Sequence, residues 1–578
     1  MMLVTCTLQA QSYIRFDSDK NNRWADSILT TLTLEEKVGQ LLMPRGNVSG
    51  KPHDVEKLKM WVKDYKIGGI VFFAGPPSVQ ARISNELQAI SKIPLFIGED
   101  FEWGLAMRLD STDRFPYAMA LGAMKGNDQL IEAMGQEVGR QCRRMGVHIN
   151  YAPVVDVNNN IDNPVINFRS YGSDKEEVAR KGMAYVKGLQ SQNVIATAKH
   201  FPGHGDTRVD SHKDLPIIGH DSTRLHAVEL YPFKKLIDSG VAGIMTAHLD
   251  VPVLAKQEGI AATFSKAIVT DLLRSQMNFK GLTFTDAMDM KGAIKNFGPD
   301  EAMVQAFLAG NDILETFEDV PVAVASLVNA VKDGRISDSL LTERVRKILI
   351  AKAWVGLNQY KPIDLQNLVA DLNGANAVLL NTLFAEASIT LAKNENDLLP
   401  IRDLTSKMAI VSVDGKAGNT FQKQCDKYTR LDFFSYLSTD SDSALLALID
   451  TLSGYDQVIV AAHLKEIRPS AKYSLTNNNI KALGQFSLLP KAVLCIFGNV
   501  YAINKLNDIQ NYKALILAYQ QWKYSEEAAA QILFGGLPSK GKLPVTLNDS
   551  LPQDLGMLLA QSTRMSYGLP AQVGFDER

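Results

Sequence analysis

Few of the features that settle a protein's class at a glance are present in this chain. Cysteine is scarce: four residues, Cys6, Cys142, Cys425 and Cys495, in 578 positions, too few and too scattered for a disulfide framework or a zinc cluster. Cys495 lies in the apolar run Ala-Val-Leu-Cys-Ile-Phe at 492–497 and reads as a buried thiol. An excess of one charge is also missing. With 61 basic against 63 acidic residues and no basic run of five or more, nothing invites a nucleic-acid partner. No run of about eighteen apolar residues occurs, so no membrane span is expected. What is there is a 46% hydrophobic composition, ample for sizeable cores. At roughly 100–200 residues per domain, the length allows two to four domains.

The N-terminus, Met-Met-Leu-Val-Thr-Cys-Thr-Leu-Gln-Ala (1–10), is apolar, ends in a small residue and is followed by polar Gln-Ser. It has the look of the back half of a secretory signal peptide without its positive start, and an exported, periplasmic or secreted protein is the expectation. An ordinary ordered N-terminal segment is the alternative.

From about residue 30 to 355 short apolar runs alternate with amphipathic stretches. Thr33-Leu-Glu-Glu36 forms a capping box, and the helix it opens should carry Val38, Leu41 and Leu42 on one face. Strands are expected at 67–73, 94–98, 147–157, 194–199, 243–248, 281–285 and 312–316. Near-continuous apolar runs of this kind suit parallel strands covered on both faces. The reading is an α/β chain: a (β/α)8 TIM-like barrel over 23–355, preceded by an N-terminal segment over 1–22. A linker at 356–380 leads to a smaller α/β/α sandwich domain at 381–550, with strands at 408–413, 457–462, 493–497 and 514–518, and a tail follows at 551–578. Many barrel strands end in polar groups: Glu99 and Asp100, Asp156, Lys199 and His200, His248, Asp286, Glu315. In a parallel barrel such ends share one rim.

Four stretches carry the chemistry. The densest is Lys199-His-Phe-Pro-Gly-His-Gly-Asp-Thr-Arg-Val-Asp-Ser-His212, which holds three of the nine histidines. His200 and His204 have the spacing of zinc ligands on a helix, but Pro202 and Gly203 between them forbid a regular helix, and no metal is expected. Asp210 and His212 are two apart and would point the same way in an extended segment. A carboxylate there can orient an imidazole and stabilise its cation, as a histidine acid/base needs; a solvated loop would place the same residues to no purpose. In Gly281-Leu-Thr-Phe-Thr-Asp-Ala-Met-Asp-Met290 an apolar strand runs into Asp286, placed to be a nucleophile or to cap the next helix. Asp289 reads as a cap. In Gly98-Glu-Asp-Phe-Glu-Trp-Gly-Leu-Ala-Met-Arg-Leu109, Asp100 and Arg108 could grip adjacent hydroxyls, and Trp103 could stack on a sugar or simply be buried. Arg169, in Asn167-Phe-Arg-Ser-Tyr-Gly172, is a further donor or a surface ion pair.

Together these stretches resemble glycoside hydrolase family 3, in its β-N-acetylglucosaminidase branch, and the likeness continues through Phe534-Gly-Gly-Leu-Pro-Ser-Lys-Gly-Lys-Leu-Pro-Val545. The resemblance implies a retaining exo-β-N-acetylglucosaminidase that needs no cofactor. Its substrate would be an N-acetylglucosamine-containing oligosaccharide, from peptidoglycan turnover or chitin. Asp286 is implied as nucleophile, His212 as acid/base and Asp210 as its partner, with Asp100, Arg108, Arg169, Lys199 and His200 binding the sugar. A phosphorylase or a β-glucosidase on the same scaffold is the alternative. One departure stands out: the family's Asp-x-Glu-Gly-Gly reads here with Trp103 for the first glycine, which questions the backbone around it. The tail from Thr563 resembles the junction, in some relatives, to a β-lactamase-like domain.

Overall fold

The computed structural model describes residues 16, 18–48, 50–210, 214–289, 297–315, 319–560 and 564–575. Cys6, the apolar segment 1–10, His212 and Thr316 lie outside them. The chain divides into two compact units, the first made of Met1–Thr112, Gly135–Asp156 and Ala179–Leu372.

The first unit is built on seven parallel strands whose order in the sheet is their order in the chain: β1 (Arg45–Gly46), β2 (Gly69–Phe72), β3 (Phe96–Glu99), β4 (Ile149–Asn150), β5 (Ile195–Phe201), β6 (Gly243–Thr246) and β7 (Leu282–Thr285). The eighth stave is residues 312–314. On one side Ile313 N donates to Thr283 O at 3.0 Å and Thr285 N to Ile313 O at 3.1 Å; on the other Leu314 N donates to Leu41 O at 2.8 Å and Met43 N to Leu314 O at 3.0 Å. The sheet thereby closes on itself as a TIM-like barrel. All residues of β2, β3, β5, β6 and β7 are buried, which is why those strands read as unbroken apolar runs.

Two local readings change. The capping box is present, Thr33 Oγ1 accepting from Glu36 N and Glu36 from Thr33 N, but its helix is only Leu34–Gly39. A Cβ on Gly39 would lie 2.1 Å from Tyr65 O, so the chain there is pressed against backbone, and Leu41 and Leu42 go on to the barrel closure instead. β5 runs two residues past its expected end. At the foot of the eighth stave Asp312, fully buried, accepts from Arg274 at 2.7 Å, Arg344 at 2.9 Å and Lys347 at 2.9 Å. Burial alone would raise its pKa, yet the three cations hold the carboxyl well below the usual range.

The second unit comprises Asp113–Met134, Val157–Val178 and Asn373–Arg578. Its six-stranded sheet has the order β10-β9-β11-β12-β13-β8, from β8 (Thr390–Asn394), β9 (Met408–Val413), β10 (Asp432–Tyr436), β11 (Gln457–His463), β12 (Val493–Phe497) and β13 (Ala514–Leu517). All pairs are parallel except β8 with β13. Helices pack on it, among them Thr420–Asp426 and Lys523–Leu533, whose Phe421, Ala529 and Leu533 join Ile410, Cys495 and Ile516 in one core. Cys142, Cys425 and Cys495 are free and buried. Among the described residues one stretch, Leu368–Ser388, is long and apolar enough to cross a membrane by length and composition, although Asp371, Asn373, Asn376, Asn381 and Glu386 interrupt it. It comprises the helices Leu368–Leu372 and Ala375–Ser388, broken at Asn373 and Gly374, and Phe384 and Ala385 of the latter are buried in the protein.

Candidate active site

The C-terminal ends of the barrel strands gather a dense set of charges. Asp100, the residue after β3, accepts from Lys199 Nζ at 2.7 Å through Oδ1 and from Arg108 Nη2 through Oδ2. Lys199 also meets Glu102 at 2.9 Å. Burial would push the Asp100 carboxyl up, but Lys199 and Arg108 outweigh it and keep the group strongly acidic. Arg108 follows the short 3-10 turn Leu105–Met107 and stacks on Phe73, 4.4 Å from the ring centroid. The result is a fixed fork of one acceptor and two donors, suited to the vicinal hydroxyls of a sugar. Trp103 does not disturb it. The left-handed backbone at this turn belongs to Gly104, with φ 78°, and Trp103 has no positive φ; the position that requires glycine has kept it.

Lys199 and His200 both sit within β5. His200 is held by a residue the sequence reading noted only as a polar strand end: the fully buried Asp156 accepts from His200 N at 3.2 Å, pairs with His200 Nδ1 at 2.7 Å and accepts from His204 N at 2.7 Å. Burial opposes ionisation of Asp156, and the charge and hydrogen bond of His200 prevail, holding its carboxyl low. One carboxylate thus orients an imidazole and fixes the start of the loop that follows. His204 Nδ1 is engaged with Thr207 Oγ1 at 2.8 Å, so both imidazoles of the zinc-like spacing have Nδ1 committed elsewhere.

Asp286 emerges directly from β7. Its N donates to Thr246 O at 3.0 Å, and its Oδ1 accepts from Ala287 N at 2.8 Å. Burial would raise its carboxyl, but His200, His248 and Lys199, with the Ala287 amide, keep it ionised below the ordinary range. His248 was likewise noted only as a strand end. Its Nε2 lies 3.1 Å from Ala287 O and its Nδ1 3.1 Å from Thr263 Oγ1. Burial depresses its basicity despite Asp286. The carbonyl can only accept, so Nε2 carries a proton. Asp289, expected to cap a turn, pairs with Arg45 at 3.1 Å.

Asp210 is half-buried, and its carbonyl accepts from Asp214 N at 3.2 Å. His212, its expected partner, lies outside the described residues. Arg169 belongs to the second unit, where it ends the turn Asn167–Arg169 and its Nη1 approaches Val165 O at 3.4 Å. The structure therefore brings together Asp100, Arg108, Lys199, His200 and Asp286, and adds Asp156 and His248. Within the loop after β5, Asp206, His220 and Glu229 present donor atoms within 4.8 Å of one another, near enough to share a cation. Those atoms already serve an Asp206–His220 contact of 2.7 Å and a Glu229–Arg224 contact of 3.1 Å. An ionised, anchored carboxylate beside a sugar-sized fork of donors and acceptors can attack an electrophilic carbon once a leaving group is protonated.

Comparison with known proteins agrees. The glycosyl hydrolase family 3 N-terminal domain matches residues 33–351. The chain is 29% identical over 555 residues to beta-hexosaminidase A of Pseudoalteromonas piscicida, covering 85% of this chain and 91% of that one. It is 32% identical over 333 residues to beta-hexosaminidase LpqI of Mycobacterium tuberculosis, covering 56% and 83%. A solved glycoside hydrolase family 3 β-N-acetylglucosaminidase from a Paenibacillus species superposes with a TM-score of 0.76 at 30% identity, covering 89% of this chain and 99% of that one.

Proposed function

The chain belongs to glycosyl hydrolase family 3, and on that premise we propose that it is a retaining exo-β-N-acetylglucosaminidase that removes terminal β-linked N-acetylglucosamine from oligosaccharides. The observation that carries the reading is Asp286: a carboxylate at a barrel strand end, kept ionised by His200, His248 and Lys199, the last of which belongs to the hydroxyl-binding fork. Asp286 attacks the anomeric carbon through an oxocarbenium-like state and forms a covalent glycosyl-enzyme. Asp100, Arg108 and Lys199 hold the sugar. His212, oriented by Asp210, protonates the departing oxygen and then deprotonates the attacking water. An imidazole suits both directions of transfer near neutral pH. The hexosaminidase names of relatives that cover most of the chain favour hydrolysis over phosphorolysis. The apolar segment 1–10 supports export as well, to be tested by sequencing the N-terminus of secreted protein.

The test is turnover of an aryl β-N-acetylglucosaminide against an aryl β-glucoside, with and without phosphate. Asp286→Ala should abolish turnover without loss of fold; wild-type rates in that variant would remove Asp286 from the mechanism. In the same assay His212→Ala should cost about 10²–10⁴-fold on poor leaving groups and much less on activated ones. Equal losses would take the acid role from His212. Formation of a sugar phosphate in place of free sugar would overturn the hydrolase reading.

A further inference from the structure

One polar group at the barrel mouth has no part in the mechanism above. Glu315 directly follows the eighth stave, its N donating to Thr285 Oγ1 at 2.9 Å and its O accepting from Met288 N at 3.1 Å. The residue is 8% exposed, and among the described residues its carboxyl has neither a hydrogen-bond partner nor an ion-pair partner. The groups that act on it come from every neighbouring strand end: Asp100 after β3, Asp286 and Asp289 after β7, and Arg45 in β1. Tyr151, after β4, feels it in turn. Three of these are carboxylates. Arg45, the cation among them, is already paired with Asp289 at 3.1 Å, and the Tyr151 hydroxyl is itself buried and unpartnered among the described residues.

Ionised, Glu315 would add a negative charge beside Asp100 and Asp286, whose ionisation is secured by Lys199, Arg108, His200 and His248. An unpaired buried charge is expensive, and a carboxyl avoids the cost by keeping its proton. Burial, reinforced by Asp100 and Asp286, does push the Glu315 carboxyl well above its ordinary range. A protonated carboxyl is a strong hydrogen-bond donor, and among the described residues it meets no acceptor. We propose that Glu315 is a further substrate-binding residue, an undissociated acid whose O–H donates to a sugar oxygen held between Asp100 and Asp286. This rests on the glycosidase reading and deepens it: the pocket then offers the sugar a neutral donor where the residue type suggests a negative acceptor.

Binding of N-acetylglucosamine by calorimetry, from mildly acidic to alkaline pH, tests the proposal on wild type, Glu315→Gln and Glu315→Ala. The glutamine amide keeps a donor and stays neutral, so near neutrality Glu315→Gln should bind within about 3-fold of wild type, while Glu315→Ala should bind roughly 5–10-fold more weakly. As pH rises wild type should lose affinity relative to Glu315→Gln, because ionisation removes the donor and adds repulsion. The infrared carbonyl absorption of a protonated carboxyl should be present in wild type and missing from Glu315→Gln. Glutamine as damaging as alanine, parallel pH profiles, or identical spectra would each overturn the assignment. Failure of wild type itself to bind N-acetylglucosamine would refute the activity reading, and the proposal with it; an intact wild type beside unaffected variants refutes the role of Glu315 alone.

Discussion

At the scale of single residues the site works by setting carboxyl groups against one another. Positive groups hold the carboxyls of Asp100 and Asp286 low, His200 does the same for Asp156, and burial beside carboxylates pushes Glu315 well above its ordinary range. As the proposed nucleophile Asp286 is useful only as its anion, and its depressed pKa means that activity should persist above that value and be lost as pH falls through it. Removing the largest positive influence raises the pKa, so His200→Ala should move the acidic limb of the kcat/KM profile to higher pH. An unmoved limb would show that His200 does not tune Asp286. The sequence reading reached Asp100, Arg108, Lys199, His200 and Asp286 because each interrupts an apolar run or follows one directly. Asp156 and His248 stood at strand ends in the same way, but their roles depend on partners far along the chain, Asp156 on His200 and His248 on Thr263 and Ala287, which spacing alone does not reveal. His212 was legible only through the motif.

At the scale of elements, what could be read was what is buried on both faces. β2, β3, β5, β6, β7 and β9, β11, β12, β13 are apolar runs and were expected at or near their places. β1 is two residues, Arg-Gly, and β10 reads Asp-Phe-Phe-Ser-Tyr at a sheet edge with its first residue exposed; neither has the composition of a covered strand. β8 buries only its first three residues and runs antiparallel. The eighth stave is held by isolated bridges and by charge at its foot, so barrel closure is most vulnerable at Asp312. Asp312→Ala should destabilise the protein by about 3–5 kcal/mol at neutral pH in urea denaturation, since Arg274, Arg344 and Lys347 would lose a shared buried partner. The folded carboxyl is more acidic than the unfolded one, so its stabilisation is present above the ordinary carboxylate range and fades as pH falls through the folded value. The gap between wild type and variant should therefore narrow on acidification. A gap independent of pH would mean the anion is not what stabilises the closure.

At the scale of the molecule, compactness and chain order part company. The second unit takes in Asp113–Met134 and Val157–Val178 from the first half of the chain, and the joins within it are specific. Lys542 N donates to Ala123 O at 3.0 Å, Ser173 N to Pro544 O at 3.0 Å, Asn158 Nδ2 to Tyr501 Oη at 2.6 Å and Asn499 Nδ2 to Asn167 Oδ1 at 2.6 Å. A fragment of residues 373–578 leaves these buried polar groups without partners, each at about 1–3 kcal/mol. By near-ultraviolet circular dichroism it should lack fixed tertiary structure, while a version with the two missing segments restored should regain it. A sharply folded isolated fragment would show that the two segments are ornaments. The same threading bears on how such a gene can be recombined: three stretches must travel together for the sandwich to stay whole, so crossovers placed at one linker between homologous genes would produce mosaics with mismatched seams, and viable hybrids require the exchange of all three.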